Sequence, residues 1–181
     1  MSAAAARAST SSSHFELFGL TQAFAIDLRA LEKAYREIQA RVHPDRFAHA
    51  GEAERRASLQ WTTRVNEAFQ TLRSPVSRAR HLLELHGVDV AFETNTAMPQ
   101  QFLMQQMALR EALEEAVARK DAGALDALRR DLERDKAALE RRLAECIDRE
   151  RDYPGAAGLV RELQFLEKLA AEIDAAYETI Q

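Results

Sequence analysis

Apolar residues recur at intervals of three and four along most of the chain, which is the spacing of one face of an α-helix. Asp27 is expected to cap a first long helix and Pro44 to end it by Val42. Its apolar face comprises Leu28, Leu31, Tyr35, Ile38 and Val42. A second pattern, from about residue 52 to residue 72, places on one face Ala57, Trp61, Val65, Ala68 and Leu72. The two helices are predicted to pack antiparallel.

Short helical segments flank this hairpin. The sequence HFELFGL predicts one or two helical turns before it. Ser74 and Pro75 indicate the start of a further helix, because serine caps and proline suits the first helical position. That helix is expected to end near Gly87 and to bury Val76, Ala79, Leu82 and Leu83.

The segment GVDVAFETNTAMP has no helical period and is interpreted as a linker. Three amphipathic helices are predicted after it, the first from Pro99 to about Lys120 with the core stripe Phe102, Leu109, Leu113 and Val117. The second carries Leu125, Leu128, Leu132, Leu139, Leu143 and Ile147, and YPGAAG is expected to end it. The third carries Leu159, Leu163, Leu166, Ala170, Ile173 and Tyr177. An all-α fold with a C-terminal three-helix bundle follows.

Composition supports helix and divides the charge unevenly. Aromatic residues make up 7% of the chain and glycine only 6 residues. Residues 1–92 hold 12 basic and 10 acidic side chains, whereas residues 93–181 hold 13 and 19. This asymmetry indicates two modules with different partners and argues against a nucleic-acid partner, which needs a concentrated basic surface. No apolar run approaches the roughly 18 residues of a membrane helix, so no membrane partner is expected.

Chemistry-bearing motifs are few. The single cysteine, Cys146, allows no intramolecular disulfide and is interpreted as a buried small hydrophobe. His81 and His86 lie five residues apart, an awkward spacing for a shared metal ion. Phosphate loops, Ser/His/Asp arrangements and paired-carboxylate pockets are not evident. We therefore expect that the protein is not an enzyme and that it has no cofactor or metal site. Residues 1–13 are interpreted as a disordered tail rather than a transit peptide.

The triplet His43–Pro44–Asp45 follows a helix with a basic stripe. Arg29, Lys33 and Arg36 share one helix face, and Arg41 and Arg46 flank the triplet. Taken alone, the triplet is interpreted as the signal that ends the helix, and the basic stripe as an ordinary solvent-exposed helix face. The alternative is a stiffened, exposed docking surface for an acidic partner.

In context, the helix, the HPD loop, the antiparallel helix and NEAFQTLRSP resemble a J-domain over residues 14–75. In that family the triplet contacts a DnaK-type chaperone and stimulates its ATP hydrolysis. The resemblance therefore implies a chaperone-binding set comprising His43, Pro44, Asp45, Arg29, Lys33, Arg36, Arg41 and Arg46.

A second apolar surface is predicted on the first bundle helix. Leu103, Met104 and Met107 fall well outside its core stripe. Phe165, on the last helix, also lies outside the stripe of that helix. If the four side chains are neighbours, they form an outward apolar patch, which usually marks a binding site. The alternative is that they widen the core stripe or pack on the first module.

The segments FLMQQMALREALEE, LQFLEKL and SRARHLLELHG are similar to HscB-type co-chaperones of iron–sulfur cluster assembly. The resemblance implies a tail over 1–13, a J-domain over 14–87, a linker over 88–98 and a bundle over 99–181. It also implies two partners, the DnaK-type chaperone HscA and the iron–sulfur scaffold IscU. The scaffold-binding set would be Leu103, Met104, Met107, Arg110, Glu111, Glu115 and Phe165.

Two departures from the family pattern qualify this expectation. Ala108 stands where family members often carry an acid, and the N-terminal cysteine module of eukaryotic relatives is absent. The second departure predicts a bacterial, cytoplasmic type. Two alternatives stay open: a J-domain co-chaperone for a different client, and a non-catalytic helical adaptor with a degenerate J-domain.

Overall fold

The computed structural model describes residues 13–42, 51–90 and 100–180, and every regular element in these ranges is helical. The helices are α1 (His14–Leu17), α2 (Leu28–Val42), α3 (Glu52–Arg73), α4 (Pro75–Leu85), α5 (Gln100–Ala118), α6 (Ala122–Ala144) and α7 (Tyr153–Ile180). The contacts divide the chain into two compact units, Met1–Leu82 and Leu83–Gln181. The predicted all-α class is confirmed. None of the helices in the described ranges is both long and apolar enough to cross a membrane.

Side-chain caps fix the starts of α1 and α2. The Ser13 hydroxyl accepts from the Glu16 amide at 3.3 Å, and the Glu16 carboxylate accepts from the Ser13 amide at 3.2 Å, which together form a capping box. The Asp27 carboxylate accepts from the amides of Arg29 at 2.8 Å and Ala30 at 3.2 Å. The predicted cap at Asp27 is therefore confirmed.

The long helices of the first unit are antiparallel, as predicted. At the end of α2, the Val42 carbonyl accepts from the Ser58 hydroxyl near the start of α3, at 2.7 Å. In the middle of α2, the Tyr35 hydroxyl donates to the Asn66 side chain at 3.0 Å. Residue numbers thus increase along α2 while the numbers of their partners in α3 decrease, as they must in antiparallel helices.

Burial in this hairpin differs from the predicted faces at several positions. Leu31, Val65, Ala68 and Leu72 are buried as expected. Leu28 is 46% exposed, because it opens α2 and lacks the preceding turn toward which helical side chains lean. Ala57 is also exposed, and the neighbouring Ser58 is buried in its place. Phe69 is buried and stacks on the Tyr35 ring at 4.0 Å, a contact that the spacing did not predict.

Predictions for α4 are confirmed. The Ser74 hydroxyl accepts from the Ser77 amide at 3.2 Å, and Pro75 is the first helical residue. The positions expected to be buried, Val76, Ala79, Leu82 and Leu83, are all buried. The helix ends before Gly87, whose φ of 74° places it in the left-handed region that glycine adopts readily.

The helices α5, α6 and α7 form the predicted three-helix bundle. The Asp121 carboxylate caps α6 by accepting from the Ala124 amide at 2.9 Å. Near the start of α6, Asp126 accepts a hydrogen bond from Tyr177 at the end of α7, so these two helices are antiparallel. Most of the predicted core stripes are buried, and those that are only half-buried are Leu109, Val117, Leu128 and Tyr177.

The junction between α6 and α7 corrects one prediction. The sequence YPGAAG does not break a helix; it forms the first turns of α7. A π-helical turn, Glu145–Glu150, follows α6, and the chain reverses at Arg151, whose φ is 59°. Asp152 then accepts from the Gly155 amide at 2.9 Å. This cap allows a helix start that contains Pro154, because the first helical amides have no intrahelical partner to lose.

Candidate functional site

The outward face of α5 carries three large apolar side chains, which we call the α5 patch: Leu103, Met104 and Met107. Leu103 is 43% exposed, Met104 65% and Met107 64%. On the opposite face of the same helix, Phe102 and Leu113 are buried. The helix therefore has two apolar faces, and only one of them is used in the bundle core. These exposures favour a binding surface over a widened core stripe.

Phe165 stands at the edge of the α5 patch rather than fully outside the core. Its ring packs edge-on against the Phe102 ring with centroids 5.6 Å apart. It is half-buried, so the expected set of four fully outward apolar side chains is reduced to three plus a partly covered ring. This contact joins α7 to the buried face of α5.

Charged side chains border the α5 patch. The Arg110 guanidinium lies 5.8 Å from the centroid of the Phe165 ring and 3.9 Å from the Glu172 carboxylate. Glu111 and Glu115 are exposed on α5. Exposed ion pairs of this kind contribute little to the stability of the fold. Glu172 was missed from the sequence because its partner is on another helix, where no fixed spacing relates the two.

The basic stripe of the first unit is exposed on α2. Arg29, Lys33 and Arg36 are all exposed, as is Arg41 at the end of the helix. Arg36 is paired with Glu32 at 3.8 Å. This surface pair contributes little stability, and the Glu32 carboxylate offsets part of the positive charge of the stripe. The rest of the expected set, His43, Pro44, Asp45 and Arg46, lies outside the described residues.

Histidine and cysteine side chains are used in packing. The His81 ring stacks on the His14 ring at 4.1 Å, and burial, together with the charge of His14, lowers the pKa of His81 to about 4. Cys146 is buried, as predicted, and its Sγ donates to the Asp152 carbonyl at 3.1 Å. Burial raises the pKa of this thiol. Within residues 13–42, 51–90 and 100–180, no group of three or more His, Cys, Asp or Glu side chains could hold a metal ion.

Comparison with protein families places the bundle in a known group. The family described as the HSCB C-terminal oligomerisation domain matches residues 98–174. The chain is also similar over nearly its whole length to the co-chaperone protein HscB homolog of Burkholderia thailandensis. The two are 52% identical over 169 residues, which are 93% of this chain and 96% of that protein.

Solved structures show the same similarity. The chaperone HscB from Vibrio cholerae matches with a TM-score of 0.84 and 34% identity, over 94% of this chain and 100% of that one. The human co-chaperone protein HscB matches with a TM-score of 0.86 and 25% identity, over 92% of this chain and 82% of that one. The hairpin and the bundle thus correspond to a J-domain and a helical C-terminal domain.

Proposed function

The chain belongs to the HscB family of J-domain co-chaperones, and from that premise we propose that it links an iron–sulfur scaffold protein to a DnaK-type chaperone. In this proposal the bundle binds the scaffold, IscU, and the J-domain engages the chaperone, HscA. The co-chaperone delivers the scaffold and stimulates ATP hydrolysis by the chaperone. Cluster transfer to an acceptor protein follows.

Exposure of the α5 patch is the observation that carries the scaffold half of the proposal. Two methionines and a leucine are exposed on α5, and the opposite face of this helix is already packed in the bundle core. Full burial of each contributes roughly 1.5–3 kcal/mol, which suits a reversible interface. Methionine adapts to an irregular partner surface. The proposed scaffold-binding set is Leu103, Met104, Met107, Arg110, Glu111, Glu115 and Phe165.

The chaperone half of the proposal rests on the basic stripe of α2 and on the triplet that follows it. Proline fixes its own backbone angle, so the loop loses less conformational freedom on binding. Asp45 offers a carboxylate to an arginine of the partner. The side chains of the stripe attract an acidic surface. The triplet performs no chemistry in this account, and the ATPase active site belongs to the chaperone.

The proposed organisation is a tail over residues 1–13, a J-domain over 14–87, a linker over 88–98 and a bundle over 99–181. We place the protein in the bacterial cytoplasm, where the chaperone and the scaffold would be available together. The chain itself is proposed to be a non-enzymatic co-chaperone without a bound cofactor.

Scaffold binding is tested by titrating purified IscU into the parent protein and into the double variant Leu103→Ala, Met107→Ala in a calorimeter. We expect at least tenfold weaker binding by the variant and unchanged basal stimulation of the chaperone ATPase. Leu85→Ala is the matched control, because Leu85 is also 43% exposed but lies on α4. Equal affinities of the parent and the double variant would reject this assignment of the patch.

The two alternatives differ from this proposal at one module each. A J-domain co-chaperone for another client would stimulate the chaperone but would not bind the scaffold. A helical adaptor would fail to stimulate the chaperone, and His43→Gln would then leave the rate of ATP hydrolysis unchanged. The exposed α5 patch favours the scaffold-binding co-chaperone.

A further inference from the structure

A groove of about 480 Å³ lies in the surface of the bundle where α5, α6 and α7 meet. Its apolar lining is Phe102, Ala108, Leu109, Ala138, Leu139, Phe165 and Leu166. Phe102, Leu139 and Leu166 are buried and form the floor. The small side chains of Ala108 on α5 and Ala138 on α6 leave the space above the floor unfilled. The groove is therefore a preformed apolar recess rather than a gap between mobile loops.

The groove is continuous with the α5 patch. Phe165 and Phe102 line the groove and pack together with their ring centroids 5.6 Å apart, and the Phe165 ring also faces Arg110, three residues after Met107. Ala108 directly follows Met107 and lies about one helical turn after Met104. Ala108 is itself exposed. A protein that covers the patch consequently reaches the mouth of the groove.

Charged side chains line part of the groove. Asp135 and Glu162 contribute carboxylates there, and Arg142 contributes one guanidinium. Glu111 and Glu115 add negative charge on the exposed side of α5. Bases lie near three of these carboxylates: Arg134 is 3.6 Å from Asp135, Arg119 is 2.7 Å from Glu115, and the charges of Arg142 and Arg161 act on Glu162. The charges around the groove are therefore largely balanced, and the apolar lining decides what it can receive.

We propose that the groove receives one large apolar side chain of the scaffold protein, and that Ala108 limits the size of the side chain admitted. This inference rests on the proposed function, because its occupant is the protein bound by the α5 patch. Interface residues that dominate binding fill well-packed pockets near the centre of an interface. The volume is also within the range of about 300–1,000 Å³ of small-molecule sites. Continuity with an exposed patch favours a protein side chain.

Ala108→Phe tests the proposal by filling the groove while leaving the α5 patch unchanged. Ala108 is exposed in a helix, so the substitution is compatible with the fold, which far-UV circular dichroism checks. We expect about tenfold or more weaker calorimetric affinity for IscU, with Ala108→Leu intermediate. Ala137→Phe is the control, because Ala137 is exposed on α6 and does not line the groove.

Outcomes for the groove and for the proposed function are distinguishable. If Ala108→Phe binds IscU like the parent while Leu103→Ala, Met107→Ala binds weakly, the groove proposal is wrong and the proposed function stands. If Ala137→Phe weakens binding as much as Ala108→Phe does, the loss of affinity does not come from filling the groove, and the groove proposal is again wrong. If the parent fails to bind IscU, both proposals fall together.

Discussion

The guanidinium of Arg110 lies over the ring of Phe165, 5.8 Å from its centroid, and links α5 to α7 at the edge of the α5 patch. The same guanidinium is 3.9 Å from Glu172. One side chain therefore holds an aromatic ring and a carboxylate in place next to three exposed apolar residues. In the proposed interface, Arg110 orients Phe165 for the scaffold.

Arg110→Ala is predicted to weaken scaffold binding about two- to fivefold, because an exposed cation–π contact contributes roughly 0.5–1 kcal/mol. Calorimetric titration with IscU measures this change. The control is Arg130→Ala, since Arg130 is an exposed arginine of α6 that does not line the groove. The orienting role is refuted if both variants keep the affinity of the parent.

Neutralising the basic stripe is predicted to reduce stimulation of the chaperone in a salt-dependent manner. Arg29→Ala combined with Lys33→Ala removes two exposed charges of α2. We expect several-fold more co-chaperone to be needed for half-maximal ATP hydrolysis at low ionic strength, and a smaller difference at high ionic strength. Lys168→Ala, an exposed charge on α7, is the control. If the variant and the parent reach half-maximal ATP hydrolysis at the same concentration at every ionic strength, the stripe is not part of the docking surface.

Acid is predicted to destabilise the fold through His81. The pKa of His81 is about 4 in the folded protein, against 6.5 for an unperturbed histidine. Between pH 6.5 and pH 4 the unfolded chain binds a proton that the folded chain does not, so stability falls as pH falls. We expect a loss of about 1–2 kcal/mol, less than the full shift implies because the ring is partly exposed and screened.

His81→Phe isolates this effect, because phenylalanine keeps an aromatic ring next to His14 and cannot titrate. Urea unfolding of parent and variant at pH 7.5 and pH 4.5 provides the comparison. Burial raises the pKa of Glu162 and of Glu167, which acts in the opposite direction but equally in both proteins. The free energy of unfolding of the variant, relative to that of the parent, should therefore be higher at pH 4.5 than at pH 7.5. A constant difference across this range would show that His81 is not responsible.

The cap of α7 is predicted to contribute to the stability of the bundle. Asp152→Ala removes the acceptor of the Gly155 amide, and loss of such a cap costs about 1 kcal/mol. Asp152→Asn retains a side-chain oxygen that can cap, so it should lose less. Urea denaturation measures both. Equal losses in the two variants would indicate that the charge of Asp152, rather than its hydrogen bond, stabilises this junction.

Helical periodicity predicted the elements of this fold well, because most of its stability depends on helix faces that repeat every three to four residues. Periodicity gave wrong predictions where the outcome depends on how close a residue is to the end of a helix, rather than on its angle around the helix axis. Leu28 is exposed because it starts a helix, and YPGAAG forms helix because Asp152 caps it. The residues around Leu103 could be placed outside the core by angle alone, since α5 has two apolar faces.

Contacts between helices were not predictable in the same way. Glu172 borders the α5 patch and Arg142 lines the groove because of how α5, α6 and α7 are packed, and no spacing in the sequence records that packing. Ala108 was noted as a departure from the family pattern, but only the structure shows that its small side chain leaves a recess open.

Recruitment of the scaffold to the chaperone tests the central claim most directly, because it requires both ends of the molecule at once. Fluorescently labelled IscU is mixed with immobilised HscA, ATP and either the parent, the Leu103→Ala, Met107→Ala variant or the His43→Gln variant, and the retained fluorescence is measured. The account predicts several-fold more retention with the parent than without co-chaperone, and little gain with either variant. Retention by either variant equal to that of the parent would contradict it.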